Sequence, residues 1–278
     1  MKPAPFDYFR PKDIAEAASA LQEADGGAKL IAGGQSLGPM LNLRLVQPSL
    51  LVDIAGVDEL SDFSEDDENL RIGACVTASD IEDQRIATHA MPLLAKVAGG
   101  IAYRAIRNRG TIGGSLCHAD PAADWVNLLP ALGASYSVGD ARGTRTILAE
   151  AFMTAAFETV LKPYEILRAV VIPKLSNDAR CGYAKISWKT GKFAVAIGIV
   201  ISDPSRGTFR ALIGATHGKP IILADAHEVF GSRTGSGPLK IDETRVMQIM
   251  EKRGVAEGPA QRLHLVALRR AATEAFAL

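Results

Sequence analysis

Residues 29–45, KLIAGGQSLGPMLNLRL, constrain the fold more than any other stretch of the sequence. A short apolar run at 30–32 leads into two adjacent glycines, Gly33 and Gly34, and a glutamine and a serine follow. Adjacent glycines let the backbone reach positive φ and approach a ligand closely, so that successive N–H groups point at an anion. The pattern predicts a strand that leads into a phosphate-binding loop.

A second glycine pair repeats this pattern further along the chain. Thr111 and Ile112 have the composition of a strand, Gly113 and Gly114 form the corner, and Ser115 supplies a hydroxyl. One glycine pair alone usually marks only a turn. Two loops of the same composition predict a single diphosphate site to which both contribute.

Composition excludes several classes of function. The 278 residues are 47% hydrophobic and 22% charged, which suits two or more compact units of roughly 100 to 150 residues each. The 31 basic and 31 acidic residues cancel, which argues against binding to nucleic acid or a membrane surface. The longest apolar run, 193–201, is far shorter than the ~20 residues of a membrane span. Because the amino terminus lacks the apolar core of a signal peptide, we expect a cytoplasmic protein.

Cysteine usage excludes several kinds of metal centre. Cys75, Cys117 and Cys181 lie far apart and form no C-x-x-C pattern. The sequence therefore encodes neither a disulfide framework nor a self-contained iron–sulfur or zinc site. The histidines likewise show no spacing typical of metal ligands. If this chain moves electrons through a metal centre, we expect another chain to hold that centre.

The chain divides into three regions. In residues 1–56, the strand before the first glycine pair and a buried strand at 50–54 predict a small parallel sheet, because the link between them is long enough for a crossover. Residues 57–177 combine short helices with an antiparallel run of strands. The polar stretch 174–180 marks a boundary, and residues 178–278 contain three predicted strands followed by three helical patterns.

Two acidic residues mark the helix predicted over residues 120–132. Asp120, which precedes Pro121, is interpreted as a capping residue. Asp124 lies one turn further on, where its carboxylate either offsets the helix dipole or accepts a hydrogen bond from a ligand hydroxyl.

The first glycine loop also allows a different interpretation. Gly34-Gln35-Ser36-Leu37-Gly38 matches G-x-S-x-G, the nucleophile elbow of serine hydrolases. An elbow belongs on a central strand, whereas only one helix and one strand precede this serine, and such short patterns recur by chance. The Rossmann pattern G-x-G-x-x-G and the P-loop are absent. A serine hydrolase and a structural subunit without a ligand stay as alternatives.

Two stretches carry a resemblance to a known family. IAGGQSLGPMLNLRL (31–45) and TIGGSLCHADPAADW (111–125) resemble the FAD-binding medium subunit of the molybdenum hydroxylases, which include carbon monoxide dehydrogenase and, as a fused domain, xanthine dehydrogenase. GYAKISWKTGKFA (182–194) extends the resemblance. It implies an α+β fold: a two-lobed FAD-binding domain of the vanillyl-alcohol-oxidase type, followed by a three-stranded antiparallel sheet with helices.

The resemblance also implies a set of cofactor-binding residues. The FAD diphosphate would be held by the backbone amides and hydroxyls of Ala32, Gly33, Gly34, Gln35, Ser36, Thr111, Ile112, Gly113, Gly114 and Ser115. Five other residues would contact the rest of the cofactor. Ile101 would pack on it, Asp124 would bind a sugar or ribityl hydroxyl, Leu167 and Lys185 would lie by the isoalloxazine, and Phe193 falls where relatives often have a tyrosine over the ring.

In this family the chain would be an electron outlet with non-covalent FAD. Its partners would be a large subunit with the molybdopterin site, where substrate is hydroxylated, and a small subunit with two [2Fe–2S] clusters. The resemblance implies a dimer of heterotrimers, a heterohexamer. No residue of this chain need act as acid, base or nucleophile on the organic substrate.

Overall fold

The computed structural model describes residues 2–86, 91–140, 142–231 and 239–276. The strands are β1 (Asp7–Phe9), β2 (Ala28–Ile31), β3 (Leu50–Asp53), β4 (Phe63–Glu65), β5 (Asn69–Gly73), β6 (Ser135–Asp140), β7 (Gly143–Leu148), β8 (Met153–Ala155), β9 (Glu158–Thr159), β10 (Ile166–Pro173), β11 (Arg180–Ile186), β12 (Ala196–Asp203), β13 (Thr208–Gly214) and β14 (Ile221–Leu223). The helices are α1 (Ile14–Glu23), α2 (Leu37–Asn42), α3 (Ala78–Glu82), α4 (Pro92–Gly99), α5 (Arg104–Arg107), α6 (Ile112–His118), α7 (Asp124–Ala131), α8 (Ala149–Phe152), α9 (His227–Phe230), α10 (Glu243–Lys252) and α11 (Pro259–Phe276).

The first region, lobe 1, is built on a three-stranded parallel sheet in the order β1-β3-β2. Helix α2 lies in the link between β2 and β3, as the length of that link predicts. Helix α1 begins where the Asp13 carboxylate accepts a hydrogen bond from the N–H of Glu16 at 2.8 Å. Its buried face, Ile14, Ala17 and Ala18, packs in the same cluster as Val52 of the sheet.

The second region, lobe 2, contains a five-stranded antiparallel sheet in the order β4-β5-β10-β6-β7. The pairing of β10 with β6 shifts register between Leu167 and Ala169. Two short helices, α3 and α4, pack beside this sheet, and α3 begins with a capping box made by Thr77 and Asp80.

The helix predicted over residues 120–132 is shorter in the structure. Helix α6 ends at His118, its C-cap Ala119 has φ of +50°, and α7 begins only at Asp124. Between them the Asp120 carboxylate accepts a hydrogen bond from the N–H of Ala122 at 2.9 Å and so caps a turn. Asp124 is therefore the first residue of a helix rather than a residue one turn inside it.

The C-terminal region contains a four-stranded antiparallel sheet, β11-β12-β13-β14, instead of the three strands predicted. The additional strand, Ile221–Leu223, has three residues, which is too short for apolar and polar residues to alternate detectably. It pairs with β13 at the edge of the sheet.

Alternate residues of β12 belong to two different hydrophobic clusters. Ile197 and Ile199 pack in one cluster with Trp125 of α7, whereas Val200 packs in another with Leu268 of α11. This follows from the two-residue period of a strand. The C-terminal sheet is thus covered by lobe 2 on one face and by α11 on the other.

Within the four described segments, no helix combines the length and the apolar character needed to cross a membrane.

Candidate cofactor site

The first glycine loop leaves β2 and presents unpaired backbone donors. Gly34 has φ of +71°, which glycine adopts without strain. Among the described residues, no hydrogen bond uses the main-chain N–H of Gly33, Gly34, Gln35 or Ser36. The amide side chain of Gln35 donates to the carbonyl of Gly33 at 2.9 Å and braces the loop. Successive free N–H groups on a half-buried loop form the kind of concavity that binds an anion.

The first loop lies directly against the residues that lead into the second. A Cβ atom on Gly33 would be only 1.9 Å from the carbonyl oxygen of Arg109. A Cβ on Gly110 would contact the Gln35 side chain at 3.8 Å. The fold therefore brings the two glycine-rich stretches together, and glycine at position 33 permits this close approach.

The second glycine pair is not entered from a strand, and this part of the sequence prediction is wrong. Gly113 and Gly114 lie in the first turn of α6, whose N-cap is Thr111. The Thr111 hydroxyl accepts a hydrogen bond from the N–H of Gly114 at 3.0 Å. Threonine is a strong N-cap, and this local bond favours helix over strand.

The main-chain donors of the second loop are already bonded within the protein. Ile112 donates to the carbonyl of Val76 at 3.0 Å and Gly113 to that of Ala74 at 2.9 Å. Ser115 donates to the Thr111 carbonyl at 3.1 Å. The Ser115 hydroxyl, by contrast, takes part in no hydrogen bond within the described part of the chain. The second loop can thus offer a ligand this hydroxyl more readily than its amides.

Asp124 lies at the start of α7 in a buried group of charged and polar side chains. Its Oδ1 accepts a hydrogen bond from the Tyr183 hydroxyl at 2.5 Å. The Lys185 ammonium donates to Oδ1 and Oδ2, both at 2.9 Å. The side chains of Asp124 and Lys185 are 7% and 15% exposed, so the pair is shielded from solvent. The ion pair joins lobe 2 to the C-terminal sheet.

Lys185 also links this pair to the turn that carries Ile101. Its ammonium donates to the carbonyl of Gly100 at 3.3 Å. Arg107 donates to the carbonyls of Ile101 and Ala102 at 2.9 and 3.2 Å and forms an ion pair with Glu82 at 2.7 Å. The hydrogen bond from Arg107 lowers the pKa of the Glu82 carboxyl. The turn around Ile101 is therefore fixed from two sides.

Two of the predicted contacts lie in contrasting surroundings. Leu167 is 3% exposed in the core beside the register shift of β10, which leaves only its main chain for a ligand. Phe193, between β11 and β12, is 65% exposed and is free to cover a ligand. Near the same hairpin, a Cβ on Gly191 would lie 2.6 Å from the ring of Tyr103. The roles of Leu167 and Phe193 stay predictions.

The sequence alone assigns no role in the site to Tyr183 or to Arg107. Tyr183 and Lys185 point to the same side of their strand, because side chains at positions i and i+2 do so. This spacing is the feature of the sequence that relates Tyr183 to Lys185. Arg107 contacts backbone carbonyls, and no sequence pattern reports such contacts.

The residues gathered here fit an elongated ligand with an anionic centre and hydroxyl groups. Free amides of the first loop suit a diphosphate, and Asp124 suits a hydroxyl donor. No group of three or more His, Cys, Asp or Glu side chains in the described segments is arranged to hold a metal ion.

Comparisons with known proteins agree with this geometry. Residues 4–175 match the family described as FAD binding domain in molybdopterin dehydrogenase. The chain is 36% identical over 208 residues to the carbon monoxide dehydrogenase medium chain of Hydrogenophaga pseudoflava, covering 75% of this chain and 72% of that one. It is 36% identical over 215 residues to subunit alpha of the 6-hydroxypseudooxynicotine dehydrogenase complex of Paenarthrobacter nicotinovorans, covering 77% and 73%.

Comparison of the fold with solved structures points to the same family. A solved structure of carbon monoxide dehydrogenase from Hydrogenophaga pseudoflava, which lacks the Mo-pyranopterin moiety of its cofactor, matches with a TM-score of 0.86 and 32% sequence identity, covering 100% of this chain and 99% of that chain. The resemblance based on the two glycine stretches is thereby confirmed, and with it the expectation of an oxidoreductase subunit. This chain belongs to the family of FAD binding domains in molybdopterin dehydrogenases.

Proposed function

We propose that this chain is the FAD-carrying electron-transfer subunit of a heteromeric molybdenum hydroxylase. It takes electrons from the [2Fe–2S] clusters of a small partner subunit and passes them to an external acceptor. A large partner subunit holds the molybdopterin site, and the complex is a dimer of heterotrimers. FAD is bound without a covalent link, and no residue of this chain performs chemistry on the organic substrate.

The observation that carries this proposal is the row of four N–H groups at Gly33 to Ser36, which have no partner among the described residues and lie next to the second loop. A diphosphate supplies the acceptors that these donors lack, and the Ser115 hydroxyl adds one donor from the other side. Bound FAD supplies the redox chemistry, because it collects electrons one at a time and releases them singly or in pairs. The chain binds and orients the cofactor, and its charged groups set the electrostatic surroundings of the flavin.

Asp124 and Lys185 serve the other end of the cofactor in this proposal. The pair is close to neutral overall, so Lys185 does not act on the flavin as an isolated cation. The Lys185 ammonium favours negative charge on reduced flavin only to the extent that Asp124 does not neutralise the positive charge of Lys185. Asp124 retains acceptor capacity on Oδ2 for a sugar or ribityl hydroxyl.

The wider architecture belongs to the same proposal. Residues 1–56 and 57–177 form the two lobes of a vanillyl-alcohol-oxidase type FAD domain, and residues 178–278 form the C-terminal domain. The proximity of the Gly33 loop to Arg109 supports a diphosphate site between the two lobes.

The hydrolase alternative finds no support in the geometry around Ser36. A nucleophile elbow holds its serine in a strained turn, whereas Ser36 has φ of −104°. Strand β2, which precedes it, is an edge strand. None of the described hydrogen bonds joins Ser36 to a histidine.

The proposal is tested first by the visible absorption spectrum of the purified chain. Heating should release FAD, identified by mass, because the binding is non-covalent. Co-expression with the neighbouring genes should yield a complex that adds iron–sulfur absorption and molybdenum, with the mass of a dimer of heterotrimers.

Each result separates the alternatives. A colourless chain that binds no added FAD but assembles with its partners is a structural subunit. Ester hydrolysis that disappears in Ser36→Ala identifies a hydrolase. Either result would overturn the proposal.

A further inference from the structure

Tyr183 is a buried residue to which no role in the site has been assigned. It lies on β11, two residues before Lys185, and is 8% exposed. Its hydroxyl donates to Asp124 Oδ1 at 2.5 Å. Burial, and next the negative charge of Asp124, raise the pKa of Tyr183 well above its usual value, so the phenol stays a donor. A neutral donor thus joins the buried ion pair.

The hydrogen bonds of Asp124 show what this donor does. An ionised carboxylate has about four lone-pair sites. Oδ1 receives two donors, Tyr183 and Lys185, whereas Oδ2 receives only Lys185. The free acceptor site is therefore on Oδ2. Without the phenol, both oxygens would have room for one more donor, and the carboxylate would have no preferred oxygen for a ligand hydroxyl.

The contact also spans two structural units. Asp124 begins α7 of lobe 2, and Tyr183 belongs to the C-terminal sheet. The aromatic ring of Tyr183 packs in the core cluster that contains Trp125. Core packing therefore holds the phenol in place. The phenol fixes the position of the Asp124 carboxylate more firmly than the flexible lysine side chain does.

We propose that Tyr183 is a positioning residue of the FAD site, because its hydroxyl occupies Asp124 Oδ1 and so reserves Oδ2 for a cofactor hydroxyl. The inference rests on the proposed function. It extends the site to a residue that touches the cofactor only through Asp124. It also makes the geometry of the FAD site depend on the packing of the C-terminal sheet against α7.

The test is Tyr183→Phe in the full-length chain, alone or in its complex, with FAD as the titrant. The variant keeps the ring and removes the donor. The dissociation constant for FAD should rise about tenfold. The midpoint potential of the bound flavin should become more negative, because Asp124 loses a donor that disperses its charge. Tyr136→Phe, which removes another buried tyrosine hydroxyl, is the matched control and should leave both values unchanged.

A double-variant cycle separates positioning from simple stabilisation. In an Asp124→Ala background, Tyr183→Phe should weaken FAD binding less than twofold further, since the acceptor of its hydroxyl is gone. Losses that multiply in the double variant would overturn the inference. So would a Tyr183→Phe chain with the wild-type affinity and potential, or one that loses thermal stability alone. If the wild-type chain binds no FAD, it is the proposed function that fails.

Discussion

The two glycine loops look alike in sequence and differ in what they offer a ligand. At Gly33 and Gly34 the backbone N–H groups have no partner within the described part of the chain. At Gly113 and Gly114 the corresponding groups are bonded to the carbonyl of Ala74 and the hydroxyl of Thr111. In the proposed site, the first loop therefore binds the ligand through its main chain, and the second loop supports the first.

The glycines differ in the same way. Gly34 uses a positive φ of +71°, whereas Gly113 is helical and serves close packing, since its Cβ would lie 2.5 Å from that of Ala74. A glycine pair followed by serine is therefore not one structural motif. Its conformation depends on what precedes it and on which backbone lies opposite.

The largest effect is expected for Gly33→Ala. The new Cβ would overlap the Arg109 carbonyl, so the first loop must move and its free N–H groups lose their alignment. FAD affinity should fall by about 100-fold, about 2.7 kcal/mol, as measured by titration of the apoprotein. Gly38→Ala, where a Cβ meets nothing within 4 Å, is the control. Wild-type affinity in Gly33→Ala would show that the first loop does not bind FAD through its aligned N–H groups.

Gly113→Ala should affect stability more than binding. The methyl group would press on Ala74 and the hydrogen bond that Gly113 donates to it, which should cost about 2 kcal/mol of unfolding free energy in a denaturant titration. FAD affinity, corrected for the folded fraction, should fall by less than about tenfold. If this variant lost as much affinity as Gly33→Ala, the two loops would have the same role.

Two serine substitutions measure how much each loop contributes through its hydroxyl group. Ser115→Ala should weaken FAD binding about tenfold, because its hydroxyl is the main free donor of the second loop. Ser36→Ala should weaken it only about threefold, because the amides of the first loop remain. Isothermal titration of both variants gives the ratio. The reverse order would show that the second loop binds chiefly through its backbone.

The last prediction concerns the stability of the ion pair between Arg107 and Glu82, which holds the approach to the second loop. The hydrogen bond from Arg107, and then the charges of Arg107 and Arg104, lower the pKa of Glu82 in the folded protein. Its stabilising contribution is therefore complete above the unfolded pKa and is lost as pH falls through the lower, folded pKa. Because the pair is partly exposed, the contribution is about 1 kcal/mol.

Unfolding free energies of the wild type and Glu82→Gln, measured from pH 7 down to pH 3, check this expectation. The difference between the two proteins should be largest near neutral pH and should shrink below about pH 4.5. A difference that is independent of pH would show that the Glu82 charge does not support the turn.

Local patterns in the sequence predicted the parts of the fold that local chemistry determines. The glycine loop after β2 and the parallel pairing of β2 with β3 both appear as expected. The second glycine pair differs from the predicted strand entry because the Thr111 side chain caps a helix, although Thr111 and Ile112 are β-branched residues that suit a strand.

The remaining features depend on distant residues. Asp124 lies far along the chain from its partners Tyr183 and Lys185, and no local sequence pattern indicates that it meets them. Likewise, the N–H of Gly113 in the second loop has a partner only because the fold brings Ala74, which follows β5, next to it. Only the tertiary fold shows which donors remain free, and this decides which loop binds.

The two-sided packing of the C-terminal sheet has a practical consequence for fragments of this protein. The family match ends at residue 175, yet Ile197 and Ile199 of β12 complete a hydrophobic core with Trp125. A fragment ending there would leave that apolar surface uncovered and would be prone to aggregate. The end of the sequence match is thus not a limit of independent folding, and expression trials should retain the chain through α11.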